Sequence, residues 1–116
     1  MSSRKIQIQV GVCKRMVKEV KSYEKEVVEN EAVVKKMRDE GRDPYDIRKQ
    51  EEVLQESCMM IPDSKRRYEA AIETLKSHIE EFGDETDAAL LTEAKEIVAE
   101  FEATNAEREE KAGDGN

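Results

Sequence analysis

The sequence predicts an all-α fold, an elongated antiparallel three-helix bundle of coiled-coil character. Charged residues make up 41% of the 116 residues and aromatic residues only 4%, a composition typical of long amphipathic helices. Apolar residues recur every three or four positions, which is the period of a helix face. Five glycines and two prolines leave few interruptions, and the strongest of them divide the chain into three helices.

The first helix is predicted over about residues 6–39. Ile6, Ile8, Val10 and Val12 alternate as in a strand, but a single strand would have no partner, so the helix is extended back to Ile6. Asn30 is the one polar member of the apolar stripe. The stripe consists of Cys13, Met16, Val20, Tyr23, Val27, Asn30, Val34 and Met37.

The second helix is predicted over about residues 44–82. Gly41 ends the first pattern, Asp43 is expected to cap the new helix and Pro44 to occupy its first position. The stripe keeps its phase across Pro62, which predicts one helix kinked at this proline rather than two helices. The stripe consists of Ile47, Glu51, Leu54, Cys58, Ile61, Lys65, Tyr68, Ile72, Leu75, Ile79 and Phe82.

Lys65 lies on this stripe although it carries a charge. Its aliphatic stem is expected to pack inside while its ammonium group reaches the edge of the bundle. Antiparallel pairing about Gly41 brings Glu19 or Glu24 within its reach.

The third helix is predicted over about residues 86–107. Gly83 is expected to end the second helix, and Asp84 or Thr86 to cap the third. Its stripe consists of Leu90, Ala94, Ile97 and Phe101, with Leu91 and Val98 widening it. Residues 108–116 have nothing to bury and are expected to form a disordered acidic tail. The bundle therefore occupies residues 1–107 as one domain, and its short connections make neighbouring helices antiparallel.

The formal net charge of −8 restricts the expected partners. Affinity for nucleic acids and for anionic membranes comes mainly from lysine and arginine, so neither is an expected partner. No apolar run approaches the roughly 20 residues of a membrane-spanning helix, and the first residues lack the apolar core of a signal peptide. A cytoplasmic protein with reduced thiols at Cys13 and Cys58 is therefore expected.

No residue pattern indicates catalysis, so a non-enzymatic protein without cofactor or metal is expected. His78 is the single histidine; one histidine cannot build a metal site, and it is interpreted as solvent-facing. Cys13 and Cys58 fall on the apolar stripes, where small buried thiols are expected. The carboxylates are spread evenly along the helix faces, which indicates solvation rather than acid–base chemistry.

Met59 and Met60 are unusual beside Pro62. With the stripe centred on Cys58 and Ile61, each methionine lies about 130° from the centre at about 100° per residue. Both are therefore expected to be exposed, one on each side of the outer face. Flexible methionines recur on surfaces that accept irregular apolar partners. Partial cover by lysine and arginine stems, or a wider core, would account for them equally well.

Several segments around these methionines resemble the tubulin-binding cofactor A family, also called tubulin-specific chaperone A. The matching segments are residues 10–19 (VGVCKRMVKE), 23–26 (YEKE), 45–50 (YDIRKQ), 54–57 (LQES) and 59–63 (MMIPD), followed by Arg66 and Arg67. The resemblance implies a cytoplasmic, cytoskeleton-associated three-helix bundle, monomeric with weak dimerisation left open. Such a protein would capture β-tubulin released by the cytosolic chaperonin. Together with other tubulin-folding cofactors, and without nucleotide, it would pass β-tubulin on towards αβ-heterodimer assembly.

The exposed methionines, the internal proline and the resemblance together predict that β-tubulin binds the outer face of the second helix. The predicted contact residues are Tyr45, Lys49, Gln55, Glu56, Met59, Met60, Asp63, Arg66 and Arg67. The alternative function is a structural coiled-coil subunit that assembles with other helices. A solution mass measurement separates the two, because an obligate coiled-coil subunit would be unfolded or oligomeric in isolation.

Overall fold

A computed structural model describes the backbone of residues 2–114 and the side chains of residues 3–107. Helix α1 spans Ser2–Asp39, helix α2 Pro44–Phe82 and helix α3 Ala88–Asp114. A short 3-10 helix, Gly83–Glu85, connects α2 to α3. No strand occurs within residues 2–114, so the predicted all-α, three-helix fold is confirmed.

The sequence predicts one domain, and the described residues cluster into two compact units. The first unit contains the chain up to Arg15 and from Glu69 onward, so segments of all three helices build it. The side-chain amide of Gln9 donates to the carbonyl of Ala71 at 2.9 Å. The apolar core of this unit consists of Ile6, Val10, Cys13, Ala71, Ile72, Leu75, Ala94 and Phe101.

The second unit, Met16–Tyr68, contains the later part of α1, the connecting turn and the earlier part of α2. Its buried residues, among those described, are Val20, Val34, Ser57 and Ser64. Two of these four are polar, so this unit has two buried apolar residues where the first has eight. Because burial of apolar area provides roughly 25 cal/mol per Å², the second unit has the weaker hydrophobic core.

The turn between α1 and α2 follows the predicted chemistry. Gly41 has a φ of 67°, which glycine adopts without steric penalty, and its amide donates to the carbonyl of Arg38 at 3.1 Å. The carboxylate of Asp43 accepts a hydrogen bond from the amide of Tyr45 at 2.9 Å. Helix α2 begins at Pro44, so the predicted cap and first position are confirmed.

Helix α2 continues through Pro62 as predicted; the bend there stays a prediction. Its inward face, however, is rotated from the predicted stripe. Ser57 and Ser64 are buried while Cys58 is exposed, so the prediction of a buried Cys58 is wrong. Each serine hydroxyl can bond to a carbonyl of its own helix, 3.2 Å away at Val53 for Ser57. Both hydroxyls therefore keep a hydrogen-bond partner when they are buried. A prediction based only on apolar residues does not recognise such serines as inward-facing.

Three helix boundaries differ from the sequence predictions. Helix α1 begins at Ser2 rather than near residue 6. Helix α3 begins at Ala88, and the cap is Asp87, whose carboxylate accepts from the amide of Leu90 at 3.3 Å, in place of Asp84 or Thr86. Helix α3 also continues to Asp114, and residues 108–112, which are arginine, glutamate, lysine and alanine, have high helix propensity. Of the tail predicted to be disordered, positions 115 and 116 lie outside the described residues.

Lys65 is half-buried, which agrees with a stem packed along the inward face. Glu19, one of its two predicted partners, instead accepts a hydrogen bond from Nη2 of Arg67 at 2.8 Å.

Candidate functional site

All nine predicted contact residues lie on α2 within the second unit, and all nine are exposed. They do not form one cluster. Tyr45 and Lys49 lie near the start of α2, where the Lys49 ammonium is 5.3 Å from the centre of the Tyr45 ring. Tyr45 is fourteen residues from Met59, which is about 21 Å along a helix. The structure therefore separates this pair from the methionines.

Met59 and Met60 border a hollow of about 410 Å³, here called the methionine hollow. Met59 is 69% exposed and Met60 41%, so their predicted exposure is confirmed. Both side chains line the same hollow, and the prediction of one methionine on each side of the outer face is wrong. The rotation of the inward face towards Ser57 explains the difference, because it moves both methionines to one side of α2. The hollow is lined by Tyr23, Glu26, Val53, Glu56, Ser57, Met59 and Met60.

Sequence reasoning missed Tyr23, Glu26 and Val53 as parts of this surface. Tyr23 and Glu26 belong to α1, so their contribution depends on the register between α1 and α2. Val53 is 42% exposed. Because it is an apolar residue outside the predicted stripe, the sequence alone could have indicated that it belongs to an exposed apolar surface.

A polar cluster lies beneath the methionine hollow. The hydroxyl of Ser57 accepts from the side-chain amide of Asn30 at 3.1 Å. Its single proton reaches either Oε1 of Glu26 at 3.1 Å or the carbonyl of Val53. The amide of Gln50 lies 3.5 Å from Oδ1 of Asn30. Hydrogen bonds thus connect α1 to α2 at the level where apolar side chains would otherwise meet.

Three charged residues lie just beyond the methionines on α2. Arg67 contacts Glu19 at 2.8 Å and Asp63 at 3.3 Å, and Arg66 lies 3.5 Å from Asp63. Exposed ion pairs of this kind contribute about 0–1 kcal/mol. These pairs therefore restrain the two arginines only weakly.

Gln55 lines a second hollow of about 710 Å³ on the other side of α2, here called the charged groove. Val34, Leu54 and Cys58 are its apolar members. Its remaining lining residues are Glu31, Lys35, Arg38, Asp39, Arg48, Glu51, Glu52 and Gln55.

The remaining candidates for chemistry, Cys13 and His78, lie in the first unit. Cys13 is buried as predicted, and this burial raises the pKa of its thiol to about 11 although a hydrogen bond with Gln9 opposes the shift. His78 was expected to face solvent, but it is half-buried with its ring 6.0 Å from that of Phe82. Its Nδ1 atom is buried without a hydrogen-bond partner.

Neither a metal-binding cluster nor a membrane-spanning helix is found among the described residues. In that part of the chain, no three His, Cys, Asp or Glu side chains are grouped so that they could hold a metal ion. No helix in it combines the length and the apolar character that crossing a membrane requires.

Comparisons with known proteins agree with the fold and the sequence motifs. The sequence model of the family described as tubulin binding cofactor A matches residues 1–98. Tubulin-folding cofactor A of Arabidopsis thaliana is 46% identical over 101 residues, which cover 85% of this chain and 89% of that protein. Tubulin-specific chaperone A of Homo sapiens is 47% identical over 95 residues, covering 82% and 88% respectively.

Solved structures give the same result. The crystal structure of tubulin folding cofactor A from Arabidopsis thaliana has a TM-score of 0.81 and 45% identity, covering 88% of this chain and 96% of that chain. The structure of human tubulin chaperone cofactor A has a TM-score of 0.74 and 43% identity, covering 88% and 99%. The resemblance inferred from the sequence motifs is thereby confirmed: the chain belongs to the tubulin binding cofactor A family.

Proposed function

We propose that this chain is a tubulin-folding chaperone that holds β-tubulin folding intermediates. It receives them after their release by the cytosolic chaperonin and passes them on towards assembly of the αβ-tubulin heterodimer. Its relatives are named tubulin-folding cofactor A and tubulin-specific chaperone A, which supports a role as a tubulin chaperone. In this proposal it acts in the cytoplasm in association with the cytoskeleton, as a monomer, alongside other tubulin-folding cofactors and without catalysis.

The observation that carries the β-tubulin site is the exposure of two adjacent methionines beside an open hollow. Met59 and Met60 expose unbranched, polarizable side chains, which can change rotamer to fit an irregular apolar surface. A folding intermediate presents such a surface before its own partner covers it. Val53 and Tyr23 provide stiffer apolar walls on either side. Contact with β-tubulin would remove all four side chains from water.

Arg66 and Arg67 add charge complementarity to this surface. Their shared partner Asp63 is exposed, with a side-chain exposure of 58%, so little free energy is lost when a carboxylate of β-tubulin replaces it. Arg67 also pairs with Glu19 of α1 at 2.8 Å. Exposed charge pairs are screened over about 8–10 Å at physiological ionic strength. Binding should therefore weaken with added salt while the contribution of the methionines persists.

The test is a double substitution of Met59→Glu and Met60→Glu with a matched control. Val28 and Val33 of α1 are 67% and 42% exposed, nearly the same as the two methionines, but lie outside the methionine hollow. Substituting both valines by glutamate adds the same charge at equal exposure. Capture of β-tubulin without α-tubulin is then measured by pull-down from cell extract, and folding by thermal denaturation.

The methionine variant should keep its melting temperature, because exposed substitutions usually change stability by about 0.5 kcal/mol or less. Its capture of β-tubulin should fall at least about tenfold, since truncating a central contact can weaken binding by about 2 kcal/mol or more. The valine variant should bind like the wild type. Equal loss in both variants, or no loss in the methionine variant, would show that β-tubulin binds elsewhere.

A further inference from the structure

The methionine hollow brings together the most accessible thioether groups within residues 3–107. Met59 and Met60 are both exposed, and both side chains line the same hollow. Met16 and Met37 instead belong to the inward stripe of α1 and are half-buried. An oxidant dissolved in water reaches an exposed thioether more readily than a half-buried one. Oxidation of the folded chain should therefore begin at Met59 and Met60.

The reaction in question is the two-electron oxidation of a methionine thioether by hydrogen peroxide. A lone pair of the sulfur attacks one peroxide oxygen, so that an S–O bond forms while the O–O bond breaks. The second oxygen leaves as hydroxide and takes up the proton of the transferred hydroxyl group, which gives water. The sulfur is oxidised to a sulfoxide, the peroxide is reduced, and an apolar side chain becomes a polar one.

The lining of the methionine hollow offers a sulfoxide oxygen little in place of water. Glu26 and Glu56 belong to this lining, and ionised carboxylates only accept hydrogen bonds. The single proton of Ser57 already reaches Oε1 of Glu26 or the carbonyl of Val53. In the free chain water can bond to the new oxygen, because both methionines are exposed. A partner that covers the hollow expels this water, and a buried dipole without a hydrogen bond is costly.

We propose that Met59 and Met60 form a methionine oxidation site, and that their conversion to sulfoxides prevents the capture of β-tubulin. The inference rests on the proposed function, because it concerns regulation of the same surface. Each sulfoxide places an oxygen where an apolar contact is required. Methionine sulfoxide reductases convert sulfoxides back to methionine, so the loss of capture is reversible. Peroxide thereby controls whether the chain accepts its partner.

The experiment compares the capture of β-tubulin by the untreated and the oxidised full chain. Cys58 is exposed and its thiol also reacts with peroxide, so every protein in the comparison carries Cys58→Ser. The purified chain is treated with hydrogen peroxide, which is removed before cell extract is added, so that tubulin itself is not oxidised. Mass spectrometry of proteolytic peptides measures the sulfoxide at each methionine, and a pull-down measures the captured β-tubulin.

Met59 and Met60 should gain sulfoxide before Met16 and Met37. Once both exposed methionines are oxidised, capture should fall at least about fivefold, because a polar oxygen is then buried in an apolar contact. The melting temperature should stay the same, since exposed positions contribute little to stability. Treatment with methionine sulfoxide reductases A and B, one for each sulfoxide epimer, should restore capture.

A variant with Met59→Leu and Met60→Leu is the matched control. Leucine is apolar, has a volume close to that of methionine and has no sulfur to oxidise. Its capture is compared only with its own capture before peroxide, so any effect of the substitutions themselves cancels, and the two values should agree. A second variant with Met16→Leu and Met37→Leu should lose capture after peroxide as the parent chain does.

Three results would overturn the inference. The first is oxidation of Met16 and Met37 as fast as that of Met59 and Met60. The second is undiminished capture by a chain that carries sulfoxides at both exposed positions. The third is an equal loss of capture in the variant with Met59→Leu and Met60→Leu, or a fall in melting temperature that accounts for the loss. If the untreated chain captures no β-tubulin, the proposed function itself is wrong, and this regulation is wrong with it.

Discussion

The hydrogen bond between Asn30 and Ser57 allows a quantitative test of how the second unit is held together. The atoms are 3.1 Å apart, and Ser57 is 5% exposed. Substituting Ser57→Ala removes the hydroxyl that accepts this hydrogen bond and leaves the side-chain amide of Asn30 without that acceptor. Such a loss costs about 1–3 kcal/mol; because Asn30 is only half-buried, we expect a value near the lower end, about 1 kcal/mol.

Substituting both partners should cost less than the two single substitutions together. Asn30→Leu removes the donor, and in the double variant with Ser57→Ala no unsatisfied group of the pair remains. Replacing both partners of a hydrogen bond by apolar groups can be nearly neutral, and the leucine adds apolar area between α1 and α2. We therefore expect a coupling free energy of about 1 kcal/mol, within the range of roughly 0.5–3 kcal/mol for residues in contact.

Native-state hydrogen exchange measures this coupling in the correct part of the molecule. Amides within Met16–Tyr68 report the opening of the second unit even where the first stays folded. Thr74→Ala is the control, since Thr74 lies in the other unit and its hydroxyl bonds only to its own helix, at the carbonyl of Ala70. The changes in opening free energy caused by Ser57→Ala and by Thr74→Ala should be additive within about 0.5 kcal/mol. If the changes caused by Asn30→Leu and by Ser57→Ala are additive within the same margin, the hydrogen bond does not stabilise this unit.

Three further predictions concern single positions. Gly41→Ala should destabilise the protein by about 1–2 kcal/mol because its φ is 67°, whereas Gly11→Ala inside α1 should stabilise it by about 0.5–1 kcal/mol; equal melting temperatures would contradict this. Leu75→Ala should lower the free energy of unfolding in urea by about 2–5 kcal/mol, since Leu75 is fully buried. The pKa of Cys13 is raised from 9.0 to about 11, so its stabilising contribution is complete below pH 9 and is lost between pH 9 and 11. The stability difference between wild type and Cys13→Ala should shrink across that interval, and a constant difference would refute the assignment.

The first helix could be predicted from its sequence almost completely. All eight residues of its predicted stripe, from Cys13 to Met37, are buried or half-buried. Apolar residues at three- and four-residue spacing determine which face turns inward when no other residues compete for that face. Gly41 and Asp43 likewise determined the turn, because a positive φ and a helix cap each require particular residue types.

The inward face of α2 in the second unit could not be predicted in the same way. Cys58 is more apolar than Ser57, yet Ser57 is inside and Cys58 outside. With two helix segments rather than three, burial extends over a narrower face, and a small hydroxyl that bonds to its own backbone fits there. The exposure of Met59 and Met60 followed from periodicity alone. The hollow beside them could not be predicted in this way, because α1 forms part of it. Its prediction requires the register between the two helices that brings Tyr23 and Glu26 to Val53.

The different interiors of the two units bear on how a chaperone can hold an unfinished partner. Ile6, Ile72 and Leu75 are completely buried in the first unit, so its packing resists rearrangement. In the second unit Asn30 and Ser57 provide a directional link instead of a dense apolar core, and side chains that lie outside a dense core change rotamer with little effect on packing. The surface proposed for β-tubulin lies on this second unit. A fixed backbone with adjustable side chains can bind partners whose surfaces are not yet native. A rigid, closely packed face could not adapt to such surfaces.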